Sequence, residues 1–223
     1  MNSNLKLAFV FLLFLYLLIS CKSTEQDLKE KMIAANNYLD DEEYEKALLK
    51  ANEILQIDST LLNAYLFKGI VLVKLEKYSE AATLLERVVN SDTNNTHAYF
   101  NLGLANLFLE DYKKSIAFFS KALRTKESGG FLLDKKYGQE NEIPFIEIVY
   151  WRGIASYYND SIEQSISDFN TCINLNFKTG DSYLYQGYNF VKRNDLKNAC
   201  ICFGEALRHG NNDAAPFKQK YCR

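Results

Sequence analysis

Proline and glycine are scarce in this 223-residue sequence, which has 2 Pro and 10 Gly. This scarcity argues against long disordered linkers, because such linkers are rich in these residues. Basic charge is not in excess either, since 26 Lys and Arg stand against 28 Asp and Glu. A protein that binds nucleic acid needs a basic face, so we predict no nucleic-acid partner.

Histidine is nearly absent, with only His97 and His209 in the whole chain. The sequence also has no nucleophile motif and no Gly-rich phosphate loop, so it lacks an obvious acid–base set. The cysteines show no Cys-x-x-Cys spacing, which argues against a zinc site. We therefore predict that the protein is not an enzyme and uses no cofactor, metal or small-molecule substrate.

The N-terminal segment is basic at first and then strongly apolar. Lys6 closes a short polar stretch, and residues 7–19 form a run of 13 apolar residues without a charge. A membrane-spanning helix needs about 20 such residues, so the run has the length of the hydrophobic region of a secretory signal. Ser20, a small residue, then precedes Cys21.

The stretch Leu18-Ile19-Ser20-Cys21 resembles the lipobox of bacterial lipoproteins. The resemblance implies a signal peptide over residues 1–20, a lipid on Cys21 and a short tether over 21–27. The alternatives are an ordinary secretory signal and a short uncleaved anchor. Position 22 is Lys and not Asp. By analogy with enteric sorting, we expect a lipid-anchored protein of the bacterial cell envelope, at the outer membrane.

Glycines recur in the rest of the chain with a fixed step. Gly69 and Gly103 are 34 residues apart, and so are Gly153 and Gly187. A small residue at this period is typical of stacked helical hairpins, since a small side chain lets two helix axes approach closely. The pattern predicts an all-α solenoid. Four positions before these glycines stand Tyr65, Tyr99, Val149 and Tyr183.

Units aligned on these glycines resemble tetratricopeptide repeats. Their second helices open with an aromatic residue and carry a small residue three positions later, as in Tyr44 with Ala47 and Tyr78 with Ala81. The resemblance implies a right-handed superhelical stack of antiparallel helix pairs, which commonly holds another protein. Departures from the pattern are Ala35 in place of Gly, Ser165 at a small position, and the absence of the usual terminal Pro, with Ser59, Thr93 and Phe177 in its place. The five units are 28–61, 62–95, 96–129, 146–179 and 180–213, followed by a C-terminal capping helix over 214–223.

The resemblance also implies a concave groove, because first helices of such repeats line the inner face. A competing interpretation is that neighbouring helices bury much of this face. We expect Tyr157 and Tyr158 to be exposed, because a tyrosine hydroxyl requires water or a polar partner. The groove residues expected to bind a partner are Phe100, Leu104, Tyr150, Tyr157, Tyr158 and Tyr188.

An insertion separates the third and fourth units. The step from Gly103 to Gly153 is 50 residues, which exceeds one repeat by 16. The excess falls at about 128–145, and we expect an excursion that leaves the stack intact. Residues 131–133 are Phe-Leu-Leu, so we expect them to dock on the protein.

The C-terminus resembles the ending of small bacterial repeat lipoproteins, in which an Ala-Cys and a Lys-Tyr-Cys close the stack. This resemblance implies a disulfide between Cys200 and Cys222; the alternative is two buried free thiols. The sequence leaves the redox states of Cys172 and Cys202 open, since export would allow oxidation.

These features predict a lipid-anchored scaffold that binds a segment of another protein in its groove. One alternative is an assembly factor for an outer-membrane secretin or β-barrel. Another is a regulator that tethers a peptidoglycan enzyme. The sequence favours a protein-binding role but does not identify the partner.

Overall fold

A computed structural model describes residues 25–127 and 143–222 of the chain, and this part is built from eleven helices with no strand. Helix α1 is described over residues 25–40. The others are α2 (Tyr44–Ile57), α3 (Leu62–Lys74), α4 (Tyr78–Ser91), α5 (Thr96–Phe108), α6 (Tyr112–Glu127), α7 (Phe145–Tyr158), α8 (Ile162–Asn174), α9 (Thr179–Lys192), α10 (Leu196–Arg208) and α11 (Ala214–Tyr221).

The helices pack in sequence order as a right-handed superhelical stack of antiparallel pairs. Each helix from α2 to α11 contacts the next one along the chain. The first helices of neighbouring pairs also touch, as α3 does α5, α5 does α7 and α7 does α9. They therefore form one inner layer, and the predicted all-α solenoid is confirmed.

The repeated glycines lie where the two helices of a pair cross. A Cβ atom on Gly69 would lie 2.7 Å from the Leu85 side chain, and one on Gly187 would lie 2.4 Å from the Phe203 ring. Real Cβ contacts are not this short, so only glycine fits these crossings. In the first pair the position equivalent to Leu85 is Ala51, which is buried and small. This explains why Ala35 can replace glycine there.

Ser165, which takes a small-residue position in the second helix of its pair, forms a hydrogen bond to the first helix. The Ser165 hydroxyl donates to the Gly153 carbonyl oxygen at 3.0 Å, and Asn189 of α9 donates to the same hydroxyl at 2.8 Å. Ser115 donates in the same way to Gly103 at 2.8 Å. These bonds give the buried serine hydroxyls the hydrogen-bond partners that a buried polar group requires.

The turns inside the pairs use a left-handed residue. Glu76 has φ of 59°, and the next amide, that of Lys77, donates to the Leu72 carbonyl at 2.9 Å. This is the six-to-one bond of a Schellman helix end, a place usually taken by glycine. The equivalent left-handed residues in the other pairs are Glu42, Glu110, Asp160 and Asn194.

The turns that follow α2 and α4 show why the usual proline is dispensable there. Asp58 accepts a bond from the Thr60 amide at 2.8 Å, and Asp92 accepts one from the Asn94 amide at 3.1 Å. Such Asx turns direct the chain into the next helix as a proline would.

Helix α11 covers the end of the stack. Its Phe217 ring lies 4.7 Å from the Tyr188 ring, centroid to centroid. A disulfide joins Cys200 of α10 to Cys222 just beyond α11, with their Cα atoms 5.5 Å apart. Cys172 and Cys202 are buried free thiols.

Two of the sequence predictions fall outside the described residues. They concern the signal peptide with Cys21 and most of the insertion, including residues 131–133. Within the described ranges, no helix is long and apolar enough to cross a membrane.

Candidate functional site

The first helices line two adjoining cavities on the inner face of the stack. The larger one, here called the N-terminal groove, has a volume of about 650 Å³ and lies against α3, α5 and α7. Its apolar lining residues are Leu39, Tyr44, Ile70, Val73, Tyr78, Phe100, Leu104, Phe108, Ile143 and Trp151.

Phe108 is the most exposed aromatic residue of the N-terminal groove. Its side chain is 48% exposed, although its ring stacks on Tyr78 at 4.8 Å and meets Trp151 edge-on at 6.3 Å. An exposed phenylalanine held between two rings is a rigid apolar contact surface. Such residues commonly dominate the energy of a protein interface.

The N-terminal groove has more carboxylates than basic groups along its rim. Asp40, Glu42, Glu76 and Glu147 line it, against Lys74 as the one Lys or Arg among the described lining residues. His97 also lines this groove. The unequal charge favours a ligand that brings positive charge to an apolar contact.

The second cavity, here called the tyrosine pocket, lies between α7, α9 and the segment before α11. Its volume is about 420 Å³. Helix α7 contributes Tyr150 to this pocket and Trp151 to the N-terminal groove, and the centroids of these two rings lie 5.8 Å apart. The tyrosine pocket is lined by Tyr150, Tyr157, Tyr158, Asp181, Leu184, Tyr185, Tyr188, Asn211 and Asp213.

The tyrosine rings of this pocket contact each other. The Tyr157 ring lies 5.1 Å from Tyr158, 5.4 Å from Tyr185 and 5.8 Å from Tyr188, measured between centroids. Tyr158 also stacks on Tyr112 at 5.3 Å. These contacts fix the ring orientations, so the pocket is preformed.

The pocket raises the pKa values of Tyr150 and Tyr188. Burial raises the pKa of Tyr188 to about 12, with further contributions from Tyr157 and Asp213. Burial, and then the Asp181 carboxylate, raise the pKa of Tyr150. The hydroxyls of Tyr150 and Tyr188 therefore remain protonated at neutral pH, where they can both donate and accept hydrogen bonds.

The six residues expected to bind a partner divide between the two cavities. Phe100 and Leu104 lie in the N-terminal groove, whereas the four tyrosines lie together in the tyrosine pocket. Their exposure differs. Tyr158 is 48% exposed, Phe100 is 7% exposed and Tyr150 is 5% exposed. Phe100 and Tyr150 pack into the core against Phe119 and Phe169, so they form the floor of the cavities.

Several lining residues were not identified from the sequence. Tyr185 lies one turn before Tyr188 on α9, so helical spacing could have placed both on one face. Asp181 sits in the first turn of α9 and offered no comparable signal. Asn211 and Asp213 lie between α10 and α11, at the end of the fifth predicted unit, where the first-helix pattern assigns no groove position.

Among the described residues, the most deeply buried carboxylate is that of Asp168, and its role is structural. Asp168 accepts bonds from Arg152 at 2.9 and 2.7 Å and from Gln164 at 3.0 Å. This arrangement uses both carboxylate oxygens, so Asp168 is not poised for acid–base chemistry. The described residues also contain no group of three or more His, Cys, Asp or Glu side chains that could hold a metal ion.

Comparison with known proteins agrees with the stacked helix pairs. Residues 96–128 match the family model described as tetratricopeptide repeat. No curated protein matches the chain in sequence.

Solved structures resemble the whole stack. One is YrrB, described as a TPR protein with an unusual peptide-binding site. It has a TM-score of 0.70 and 20% identity, and the match covers 90% of this chain and 97% of that one. Another is MamA (41-end) from Desulfovibrio magneticus RS-1, with a TM-score of 0.67 and 18% identity over 81% of this chain and 93% of that one. The chain therefore has a tetratricopeptide-type solenoid fold.

Proposed function

We propose that this protein is a scaffold that binds a segment of another protein along its concave face. The observation that carries the proposal is the aromatic surface formed by the N-terminal groove and the tyrosine pocket, which adjoin at Tyr150 and Trp151. Phe108 and Tyr158 are each 48% exposed on this surface, although other aromatic rings hold them in place. Exposed aromatic side chains with fixed orientations are suited to bind a partner at low entropic cost.

Two further observations support a peptide-like ligand. The lining residues of the two cavities together include residues of the inner helices α3, α5, α7 and α9. YrrB, which has the same fold, is described as having a peptide-binding site. A helix or an extended segment of a partner could contact both cavities at once.

A photo-crosslinking amino acid in place of Phe108 tests this proposal in cells. Leu49 offers a matched control, because it is 58% exposed and lies on α2, a second helix outside the cavities. We expect a discrete crosslinked partner from position 108 and none from position 49. Equal products from both positions would show that contact is unspecific, and the proposal would fail.

Alanine substitutions separate binding from packing in the tyrosine pocket. Tyr158 is 48% exposed, whereas Tyr157 is half-buried among other rings. Tyr158→Ala should weaken partner capture while thermal unfolding changes little. Tyr157→Ala with Tyr158→Ala should weaken capture further and lower stability. If the double variant binds normally in its folded fraction, the two tyrosines are packing residues and the binding face lies elsewhere.

We also propose that the protein is anchored to the bacterial cell envelope, at the outer membrane, by a lipid on Cys21. The support is the 13-residue apolar run that ends in Leu-Ile-Ser-Cys. Metabolic labelling with a fatty acid should mark the wild-type protein and not Cys21→Ser. Equal labelling of the two proteins would contradict the anchor. The partner captured by position 108 would then identify the envelope process that the scaffold serves.

A further inference from the structure

The tyrosine pocket is rich in oxygen atoms and negatively charged. Asp181 and Asp213 line it, and no described Lys or Arg does. Asp181 is held in place on both sides, because the Tyr150 hydroxyl donates to one of its oxygens at 3.3 Å and Asn211 donates to the other at 2.6 Å. Two neutral donors thus orient the carboxylate.

Rings of the same cluster already hold ammonium groups of this chain. The Lys192 Nζ atom lies 4.0 Å from the Tyr157 ring centroid, and the Lys178 Nζ atom lies 4.5 Å from that of Tyr150. Such contacts arise because the face of an aromatic ring carries negative charge. Neither lysine is a lining residue of the pocket, and Lys192 forms an ion pair with Asp160 at 2.5 Å.

The tyrosine hydroxyls add neutral acceptors to the two carboxylates. Burial raises the pKa values of Tyr185 and Tyr188, so both phenols stay protonated at neutral pH and their oxygens can accept a bond from a cation. An anionic ligand would instead meet two like charges. The pocket volume of about 420 Å³ lies in the range of small-ligand sites, roughly 300–1,000 Å³.

We propose that the tyrosine pocket binds the cationic side chain of a lysine or arginine in the segment held by the concave face. The inference rests on the proposed function and specifies its partner chemistry. The ammonium or guanidinium group would contact the faces of Tyr185 and Tyr188 and donate to Asp181 and Asp213. A neutral aliphatic side chain of the same length would leave both carboxylates without a cation.

Single amino-acid probes test the pocket directly. The amides of Nα-acetyl-lysine and Nα-acetyl-arginine would be titrated into the full-length protein in non-ionic detergent. NMR of the tyrosine rings would be the readout. N-acetyl-norleucine amide serves as the uncharged control of similar shape. We expect both cationic probes to shift the ring signals of Tyr158, Tyr185 and Tyr188 and to bind at least tenfold more tightly than norleucine. Equal binding of the uncharged probe would overturn the proposal.

Variants of the two carboxylates show whether charge carries the binding. Asp181→Asn with Asp213→Asn should lower the affinity for the cationic probes at least tenfold. Asp41→Asn, an exposed carboxylate outside the pocket, should leave it unchanged. If the double variant does not fold by circular dichroism, Asp213→Asn alone is used, because Asp213 is exposed; it should lower the affinity severalfold. Unchanged affinity in the folded variant would overturn the proposal.

The crosslinking experiment separates this inference from the proposed function. Capture of a partner at position 108 without any binding of the cationic probes would overturn the cation pocket and leave the scaffold standing. Binding of the probes without any capture would overturn the scaffold. A crosslinker at position 158 should map to a partner peptide that contains Lys or Arg near the contact. A mapped peptide without either residue would overturn the proposal.

Discussion

Two glycines in the fifth helix pair should respond in opposite ways to the same substitution. Gly187 lies inside α9 and Gly204 inside α10. An added Cβ at 187 would lie 2.4, 2.6 and 2.9 Å from three atoms of the Phe203 ring, whereas at 204 it would meet only the Lys218 Nζ atom at 3.8 Å. Phe203 is fully buried, so its ring cannot move away without disturbing the core.

The expected free energies follow from two opposing terms. Alanine is favoured over glycine inside a helix by about 1 kcal/mol, and this gain applies at both sites. Forcing a methyl group into a filled core costs about 1–3 kcal/mol, and the contacts at 187 place it at the upper end. Gly187→Ala should therefore lower the free energy of unfolding by about 2 kcal/mol, while Gly204→Ala raises it by about 1 kcal/mol.

Urea and thermal denaturation followed by far-UV circular dichroism would measure the difference. About 3 kcal/mol between the two variants corresponds to roughly 6–12 °C in Tm for a protein of this size. Gly153→Ala should fall between them, because its nearest contacts are at 3.2 Å. In a Phe203→Ala background the cost of Gly187→Ala should largely disappear, since alanine at the equivalent position 51 leaves room for Ala35 in the first pair. Stabilisation by both single alanine variants, or no rescue, would refute the close helix crossing.

The remaining predictions concern a turn, the disulfide and a buried thiol. Glu110→Gly should raise the free energy of unfolding by about 1 kcal/mol, measured by urea denaturation, because Glu110 has φ of 62° and glycine adopts this conformation without strain; a loss of stability would contradict this. Under non-reducing conditions, peptide mapping should find Cys200 linked to Cys222, and Cys200→Ser should cost about 3 kcal/mol, the loop-closure value for their separation of 22 residues; two alkylatable thiols at these positions under non-reducing conditions would count against the link. Burial raises the pKa of Cys172 to about 12, so this thiol should resist alkylation at pH 8 until the chain unfolds. The thiol ionises near pH 9 in the unfolded chain but only near pH 12 in the folded one, so the contribution of Cys172 to stability should be lost as pH rises from about 9 to 12. Denaturation measured across that range should show this loss in the wild-type protein and not in Cys172→Ala.

The helical repeat could be predicted from the sequence because it depends on local and periodic features. A 34-residue step of glycines sets the register, and the helix crossings at Gly69 and Gly187 follow from it. Each glycine contacts a residue 16 positions later in its own unit, a short separation that a single repeat contains. The same regularity made departures such as Ser165 visible, although its bond to the Gly153 carbonyl appeared only in the structure.

The composition of the candidate site was harder to predict. The repeat register indicates which face of a helix a residue lies on, but not how exposed its side chain is. Phe100 and Phe108 both belong to α5 and both line the N-terminal groove. One is 7% exposed and the other 48%. The difference arises because Phe100 packs on Phe119 in the core, whereas Phe108 lies at the last turn of its helix, beyond the ring of Tyr78.

The sequence by itself determined that this chain folds as stacked helix pairs with an aromatic inner face. Only the tertiary structure decided which aromatics form a pocket and what charge surrounds them. The tyrosine pocket needs Asp213 from the segment before α11 to lie beside Tyr188 of α9, and Phe217 of the cap fixes that approach through its contact with the Tyr188 ring. Such contacts depend on side-chain packing between helices and do not repeat along the chain. Residue spacing in the sequence therefore cannot predict them.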